Sequence, residues 1–292
     1  MLLTKITLRS AISRNTILSS AFSSSPESPA AITLYQYAIC PFCHKAKALL
    51  AYASMAHNVV EVNPLTKSEL KHLSGNYRKV PIATIEDEQV NGSNEICRAL
   101  LARNDVAKAL ESRWVSGEEV NAIDSEAPMS MEEFQSGASA ERWSSFAHDD
   151  LAALLYPNIC PSLGDSYEAF GYVKDVDSFS PAQKIAIRGI GSLAMYFAAS
   201  KVLKKRGISD GREALQSCLS KWEEEGLENG EKKFASGKSK PNMGDLAVFG
   251  TLHSIKGLSA HAEVVEGRGG AILDWYTRMD QEVYGKKQIN SK

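Results

Sequence analysis

Two cysteines set three positions apart, Cys40 and Cys43, close the run Leu34-Tyr35-Gln36-Tyr37-Ala38-Ile39-Cys40-Pro41-Phe42-Cys43, with Lys45 and Lys47 just beyond. The alternation of that run predicts a strand that ends at Cys40. Pro41 suits the first turn of a helix, where its missing N–H costs nothing. A thiol at such a junction lies among unpaired backbone N–H groups and at the positive end of the helix dipole. Both lower its pKa, and the thiolate is the reactive form. The expected chemistry is that of an activated cysteine, either nucleophilic attack or thiol–disulfide exchange. The competing use of this spacing is half of a zinc site, but no second Cys/His pair stands at ligand spacing, so no metal is expected.

Composition bounds the rest. A length of 292 residues implies about two domains, and 43% hydrophobic with 23% charged residues is ordinary for a globular protein. With 33 basic and 35 acidic residues the net charge is −2, which gives no reason to expect nucleic acid as a partner. Five cysteines imply no disulfide framework, and Cys97, Cys160 and Cys218 read as buried small hydrophobes. The least polar stretch, Gly189 to Ala199, is far shorter than the roughly 20 residues of a membrane span. It runs into Lys201, Lys204, Lys205 and Arg206 and reads as a buried amphipathic helix, so any membrane association would be peripheral.

Residues 1–30 carry Lys5, Arg9 and Arg14, many serines, and no acid before Glu27. That pattern is expected of an organellar transit peptide. Mitochondrial import is favoured, with a plastid leader, a plain disordered tail, or an uncleaved leader resting on a membrane surface as alternatives. The tract Ser23 to Pro29 reads as a linker into the first strand.

The elements that must hold Cys40 follow. A helix is expected from Cys43 to about Met55, a strand over Asn58 to Asn63 ended by Pro64, and a helix over Lys67 to Leu73. A strand over Arg78 to Ile85, a short one over Gln89 to Asn91, and a helix from Ser93 to Arg103 complete the set. The order β-α-β-α-β-β-α is the thioredoxin-like arrangement, expected over residues 31–104. Val80-Pro81 would be the cis-proline step beside the reactive cysteine, freeing the backbone before it for an extended peptide ligand. An ordinary loop-to-strand proline is the alternative. Gly92-Ser93-Asn94 opens a helix whose N-terminus suits a carboxylate, with Ser93 also read as an N-cap.

From about Asp105 to the end, helical spacing dominates: Trp143 to Leu155, Pro181 to Lys205, Arg212 to Glu225 and Asp245 to Leu258. Asn242-Met243-Gly244-Asp245 reads as a capping box with a folding role. Residues 113–139 are polar and acidic and are expected to be a flexible excursion.

A thioredoxin-like domain followed by an all-α domain resembles the glutathione transferase superfamily. Within it the motifs are similar to the glutaredoxin-like family of membrane-associated prostaglandin E synthases of type 2. They are Leu34-Tyr35-Gln36-Tyr37 with Cys40-Pro41-Phe42-Cys43, Val59 to Pro64, Tyr77 to Ile82, Leu155 to Asn158, Ala194-Met195-Tyr196 and Lys240 to Gly250. The resemblance spans about residues 32 to 284. It implies Cys40 as the essential thiol, with Tyr37 and Phe42 placing it and lining the pocket, and Cys43 as its neighbour. It implies glutathione held by the backbone at Val80-Pro81 and by an Asp-Ser pair at the last helix of the domain. Here that pair reads Gly92-Ser93, so Gly92→Asp is expected to tighten glutathione. The activity implied is isomerisation of the lipid endoperoxide prostaglandin H2 to prostaglandin E2. A glutathione-dependent thiol–disulfide oxidoreductase or transferase is the alternative, and a non-enzymatic glutathione- or haem-binding protein a third class. Glutathione is the expected cofactor, haem is implied by the resemblance alone, and a second copy of the chain is an expected partner.

Overall fold

The computed structural model describes residues 31–115 and 128–285. The expected leader and the centre of the expected excursion lie outside the described residues. The alternating run produces β1 (Ile32–Gln36), which sits inside a four-stranded sheet of order β2-β1-β3-β4. β2 (Asn58–Glu61) pairs parallel to β1, with Leu34 opposite Val59. β3 (Ile82–Ile85) pairs antiparallel to β1, with Leu34 opposite Ala83, and β4 (Glu88–Asn91) pairs antiparallel to β3. Neighbours on both edges and cover on both faces explain why Ile32, Leu34, Tyr35 and Gln36 are all buried. α1 (Pro41–Tyr52) and α2 (Ser93–Leu101) complete this thioredoxin-like unit.

Two expected elements differ. Lys67 to Leu73 forms only one 3-10 turn, Ser68–Leu70. The Asn63 side chain accepts from the N–H groups of Leu65 and Thr66, and Lys67 then takes a left-handed φ of 49°, which breaks helical geometry at the start of the segment. The expected strand over 78–85 begins only at Ile82, because Pro81 has no N–H for the ladder.

The helical unit is built from α3 (Asn104–Val115), α4 (Met131–Ser136), α5 (Ala138–Phe146), α6 (Ala152–Ile159), α7 (Leu163–Ala169), α8 (Pro181–Ala186) and α9 (Ser192–Arg206). It continues with α10 (Gly211–Lys221), α11 (Met243–His253), α12 (Ser259–His261) and α13 (Gly270–Tyr284). Single π turns, Ala147–Leu151 and Ile187–Gly191, join α5 to α6 and α8 to α9. The expected domain boundary falls at the first residues of α3. No strand follows β4 among the described residues.

The described ends of the expected excursion are anchored instead of loose. Arg113, Trp114 and Met129 are buried, and α4 starts with a reciprocal Ser130–Glu133 capping box. Phe134 is wholly buried, its ring 5.2 Å from Trp114 and 6.1 Å from Tyr52. One phenylalanine outweighs the surrounding acidic composition. The reading of Gly189 to Ala199 as buried is also corrected: Ile190, Leu193 and Phe197 face outward. Cys97, Cys160 and Cys218 are buried free thiols.

α11 is the hub, buried from Met243 to Leu252. Its capping box forms as read: Asn242 Oδ1 accepts from the N–H groups of Gly244 and Asp245, and Asp245 accepts from the Asn242 N–H. Asp245 also takes the N–H groups of Ala235 at 2.8 Å and Ser236 at 3.2 Å, and the Trp275 indole N–H at 3.0 Å. One buried carboxylate thus ties the preceding loop and α13 to the hub. Asp245→Ala strands four donors, and each orphan costs about 1–3 kcal/mol. Urea unfolding is expected to show a loss of at least about 3 kcal/mol, and Asp245→Asn, which keeps an acceptor, a smaller one.

Candidate active site

The strand-to-helix junction is clamped through Ala38. Its N–H donates to Glu61 Oε1 at 2.7 Å, and His44 Nε2 donates to its carbonyl at 2.7 Å. Gln36 Nε2 holds the other Glu61 oxygen at 3.0 Å, and the Tyr172 hydroxyl also donates to Glu61. A turn closes with the Cys40 N–H on the Tyr37 carbonyl at 3.0 Å, and α1 begins at Pro41. Burial holds His44 neutral, pulling its pKa to about 3, and pushes Glu61 up to about 7.

The two thiols are driven apart electrostatically. The Cys43 S–H donates to the Cys40 sulfur, which also receives the backbone N–H groups of Cys43 and Phe42 and the Tyr156 hydroxyl. Together these outweigh burial and hold the Cys40 pKa below the usual thiol value. Burial pushes Cys43 well above it, so Cys43 remains the donor; its sulfur in turn accepts the Tyr37 N–H.

Cys40 opens on an apolar cavity of about 330 Å³ walled by Tyr37, Ile39, Tyr156, Phe170, Tyr172 and Met195. Burial raises Tyr37 to about 12 and keeps Tyr156 and Tyr172 protonated as well. The structure therefore brings Cys40, Cys43 and Tyr37 together. Phe42 is a correction. Its ring is absent from the cavity wall and packs on His148, 4.9 Å between centroids, and only its backbone N–H serves Cys40. Having entered the helix, its side chain must point toward the α5–α6 side.

The expected glutathione residues form a second group. Val80-Pro81 is cis, and the Pro81 carbonyl accepts the Gly92 N–H at 2.9 Å. Val80 lies outside the ladder, whose first β3–β4 pair is Ile82 with Asn91. α2 starts at Ser93, whose buried hydroxyl has no partner among the described residues and caps nothing. Unpaired first-turn amides with an orphaned hydroxyl fit a carboxylate such as glutathione carries. Gly92 is a second correction. Its φ of 88° and ψ of 148° lie in a region essentially reserved for glycine, so an aspartate cannot simply be restored there. Haem does not fit: the cavity wall carries no cationic side chain for its propionates.

Tyr156, Tyr172, Glu61 and His44 were not anticipated. Glu61 left a trace as a charged residue in the apolar run Val59-Val60-Glu61-Val62, and Tyr156 lies within the Leu155 to Asn158 motif, though neither was read as a site residue. The tyrosines come from distant helical segments, and no local spacing marks them.

Residues 34–108 match the family described as glutathione S-transferase, N-terminal domain. Prostaglandin E synthase 2 of Mus musculus is 29% identical over 276 residues, covering 86% of this chain and 70% of that protein. Glutaredoxin 1 of Rickettsia prowazekii (strain Madrid E) is 35% identical over 68 residues, covering 22% of this chain and 72% of the glutaredoxin. A solved glutathione S-transferase-I bound with lactoylglutathione shares the fold at 14% identity and a TM-score of 0.51, covering 88% of this chain and 98% of its own. Over residues 34–108 the chain is similar to the glutathione S-transferase N-terminal domain, and over most of its length it is similar to prostaglandin E synthase 2.

Proposed function

We propose that this chain is a glutathione-dependent enzyme that isomerises the endoperoxide prostaglandin H2 to prostaglandin E2 at Cys40. The observation that carries the reading is a thiol of lowered pKa facing an apolar, tyrosine-walled cavity. Similarity to prostaglandin E synthase 2 supports the choice of substrate.

The Cys40 thiolate attacks one oxygen of the weak O–O bond. An S–O bond forms, the O–O bond breaks, and the other oxygen leaves as an alkoxide that takes the Tyr37 proton. The tyrosinate then removes the ring C–H proton at the carbon bearing the S–O oxygen. The C–H pair becomes the carbonyl bond, the S–O bond breaks, and its electron pair returns to sulfur. The sequence is redox-neutral, restores both residues, and leaves a ketone and a hydroxyl. The apolar wall excludes water from the intermediate. Residues Val80 and Ser93 would hold glutathione, which supplies a second thiol able to keep Cys40 reduced.

A second reading, glutathione-dependent thiol–disulfide exchange, is favoured by the Cys43 thiol lying in hydrogen-bond contact with Cys40. Product analysis with prostaglandin H2, and separately with a glutathione mixed disulfide, separates the two. Wild type is expected to yield prostaglandin E2, Cys40→Ser none, and Cys43→Ser to keep activity within about tenfold, since a serine hydroxyl still donates. Equal loss in both variants would favour an obligatory dithiol cycle.

The pH dependence carries its own test. Cys40 is held low by its donors, so removing one raises its pKa. A hydrogen bond to a charged group is worth about 1.5–3 kcal/mol, or about one to two pH units. Cys43→Ala is expected to move the acid limb of Cys40 alkylation upward by that amount, and Cys43→Ser much less.

Gly92→Asp is expected to destabilise by about 1–3 kcal/mol through its backbone conformation. Calorimetry should find glutathione binding no tighter. A stable variant with tighter binding would reinstate the missing carboxylate as the limit on affinity.

A further inference from the structure

A cavity of about 770 Å³, against about 330 Å³ for the thiol cavity, lies between α2 of the thioredoxin-like unit and α4 and α5 of the helical unit. The two share no lining residue, and neither Cys40, Val80 nor Ser93 is on the wall of the larger one. Lys45 is on that wall and only 7% exposed, so its stem does not carry the ammonium out to solvent. Lys45 and Arg113 are the buried lysine and arginine among the described residues, and their surroundings differ. Arg113 reaches the Glu282 carboxylate at 3.3 Å and donates to the Tyr52 carbonyl at 3.2 Å. Lys45 Nζ donates to Asn94 Oδ1 at 2.9 Å and makes no ion pair among the described residues. An ammonium has three donors, and a buried charge with one neutral acceptor is poorly compensated. Asn94, its oxygen turned to Lys45, has an NH2 group with no protein partner among the described residues.

We propose that this cavity is a binding site for a small oxyanion, the carboxylate or phosphate group of a polar metabolite, with Lys45 as its counter-ion. The Lys45 ammonium and the Asn94 amide, one from α1 and one from α2, supply the donors. Cys97, Leu101 and Met243 are buried lining residues, and such apolar surroundings keep the local dielectric low and strengthen an ion pair made there. Hydroxyl and amide side chains of α4 and α5 line the opposite wall and offer neutral hydrogen bonds to the body of the molecule. The volume falls within the range of small-molecule sites, about 300–1,000 Å³. Charge at the rim narrows the class. Glu141 and Asp149 are exposed there, so a nucleic acid or other polyanion would meet two carboxylates on entry, whereas a compact oxyanion can pass between them to the buried cation. The inference rests on this cavity alone and holds whatever Cys40 does.

The test is isothermal titration calorimetry of the full chain with inorganic phosphate and, separately, with succinate, at constant ionic strength. Saturable binding of at least one probe is expected. Phosphate alone would assign the site to phosphate esters, succinate alone to carboxylic acids, and binding of both to oxyanions of either kind. Lys45→Met is expected to weaken binding at least about tenfold, the loss of one charge-assisted hydrogen bond. Asn94→Asp sets a carboxylate against Lys45, which fills the place of the ligand's anion, and should abolish binding. Asn94 is exposed, so this second variant keeps the test decisive should Lys45→Met fail to fold. A further titration with the chain saturated in glutathione should leave probe binding unchanged. Three outcomes would overturn the proposal: a wild type that binds neither probe, variants that bind like wild type, or a probe displaced by glutathione, which would merge this cavity with the glutathione residues already described.

Discussion

α11 lies so close to α1 that a Cβ on Gly250 would stand 2.6 Å from the His44 carbonyl oxygen. Only glycine permits this contact, and much of the molecule is built around it. α1 is buried nearly all round, with Cys43, His44, Ala46, Leu49, Leu50 and Tyr52 enclosed. α11 is enclosed likewise and is fixed at its start by Asn242 and Asp245. Gly244 repeats the device on the α5 side, where a Cβ would stand 2.8 Å from that of Trp143. The cap therefore fixes α11, α11 fixes α1, and α1 fixes the thiols. A shift in any of these would propagate, because packed interiors do not deform continuously.

Around that rigid helix, burial distributes charge sparingly. His44 and His253 are held neutral, with pKa values near 3 and 4, their rings 5.7 Å apart. Glu61 is near 7 and the cavity tyrosines keep their protons. Against this nearly neutral background Cys40 is the group whose charged form is specifically solvated, by a neighbouring thiol, two amides and a hydroxyl. Two sulfurs three positions apart thereby take opposite protonation preferences, one pKa lowered and the other raised. The difference comes from a single turn of helix: Cys40 precedes it and meets its free amides, and Cys43 is inside it.

Much of this was legible in the chain because it is written in local terms. The alternation of β1, the proline after Cys40 and the Asn242–Asp245 spacing each encode their structure within a few residues. What was not legible depends on residues meeting from afar. Tyr156 and Tyr172 reach the thiol from separate helical segments, and only packing brings them there. Phe42 was misread because sequence adjacency to a reactive cysteine says nothing of which side a helical side chain faces. Lys67 to Leu73 had the residues of a helix but begins on a left-handed Lys67 behind a turn built on Asn63. At Gly92 the missing aspartate looked like a lost contact, while the backbone shows a glycine required by its conformation. The outward ridge of α9 has the same composition as a buried stripe, so apolar spacing alone could not say which way it pointed.

The seam between α1 and α11 also bears on how the chain matures. The thioredoxin-like unit comes early in the sequence and α11 late. As the chain is made from its N-terminus, the sheet and α1 can assemble first, yet one whole flank of α1 waits bare until α11 and α13 arrive to cover it. A pairing of such long sequence separation is slow to close. The interval leaves an apolar helix face uncovered, which makes nascent and incompletely folded chains the form of this protein most open to aggregation.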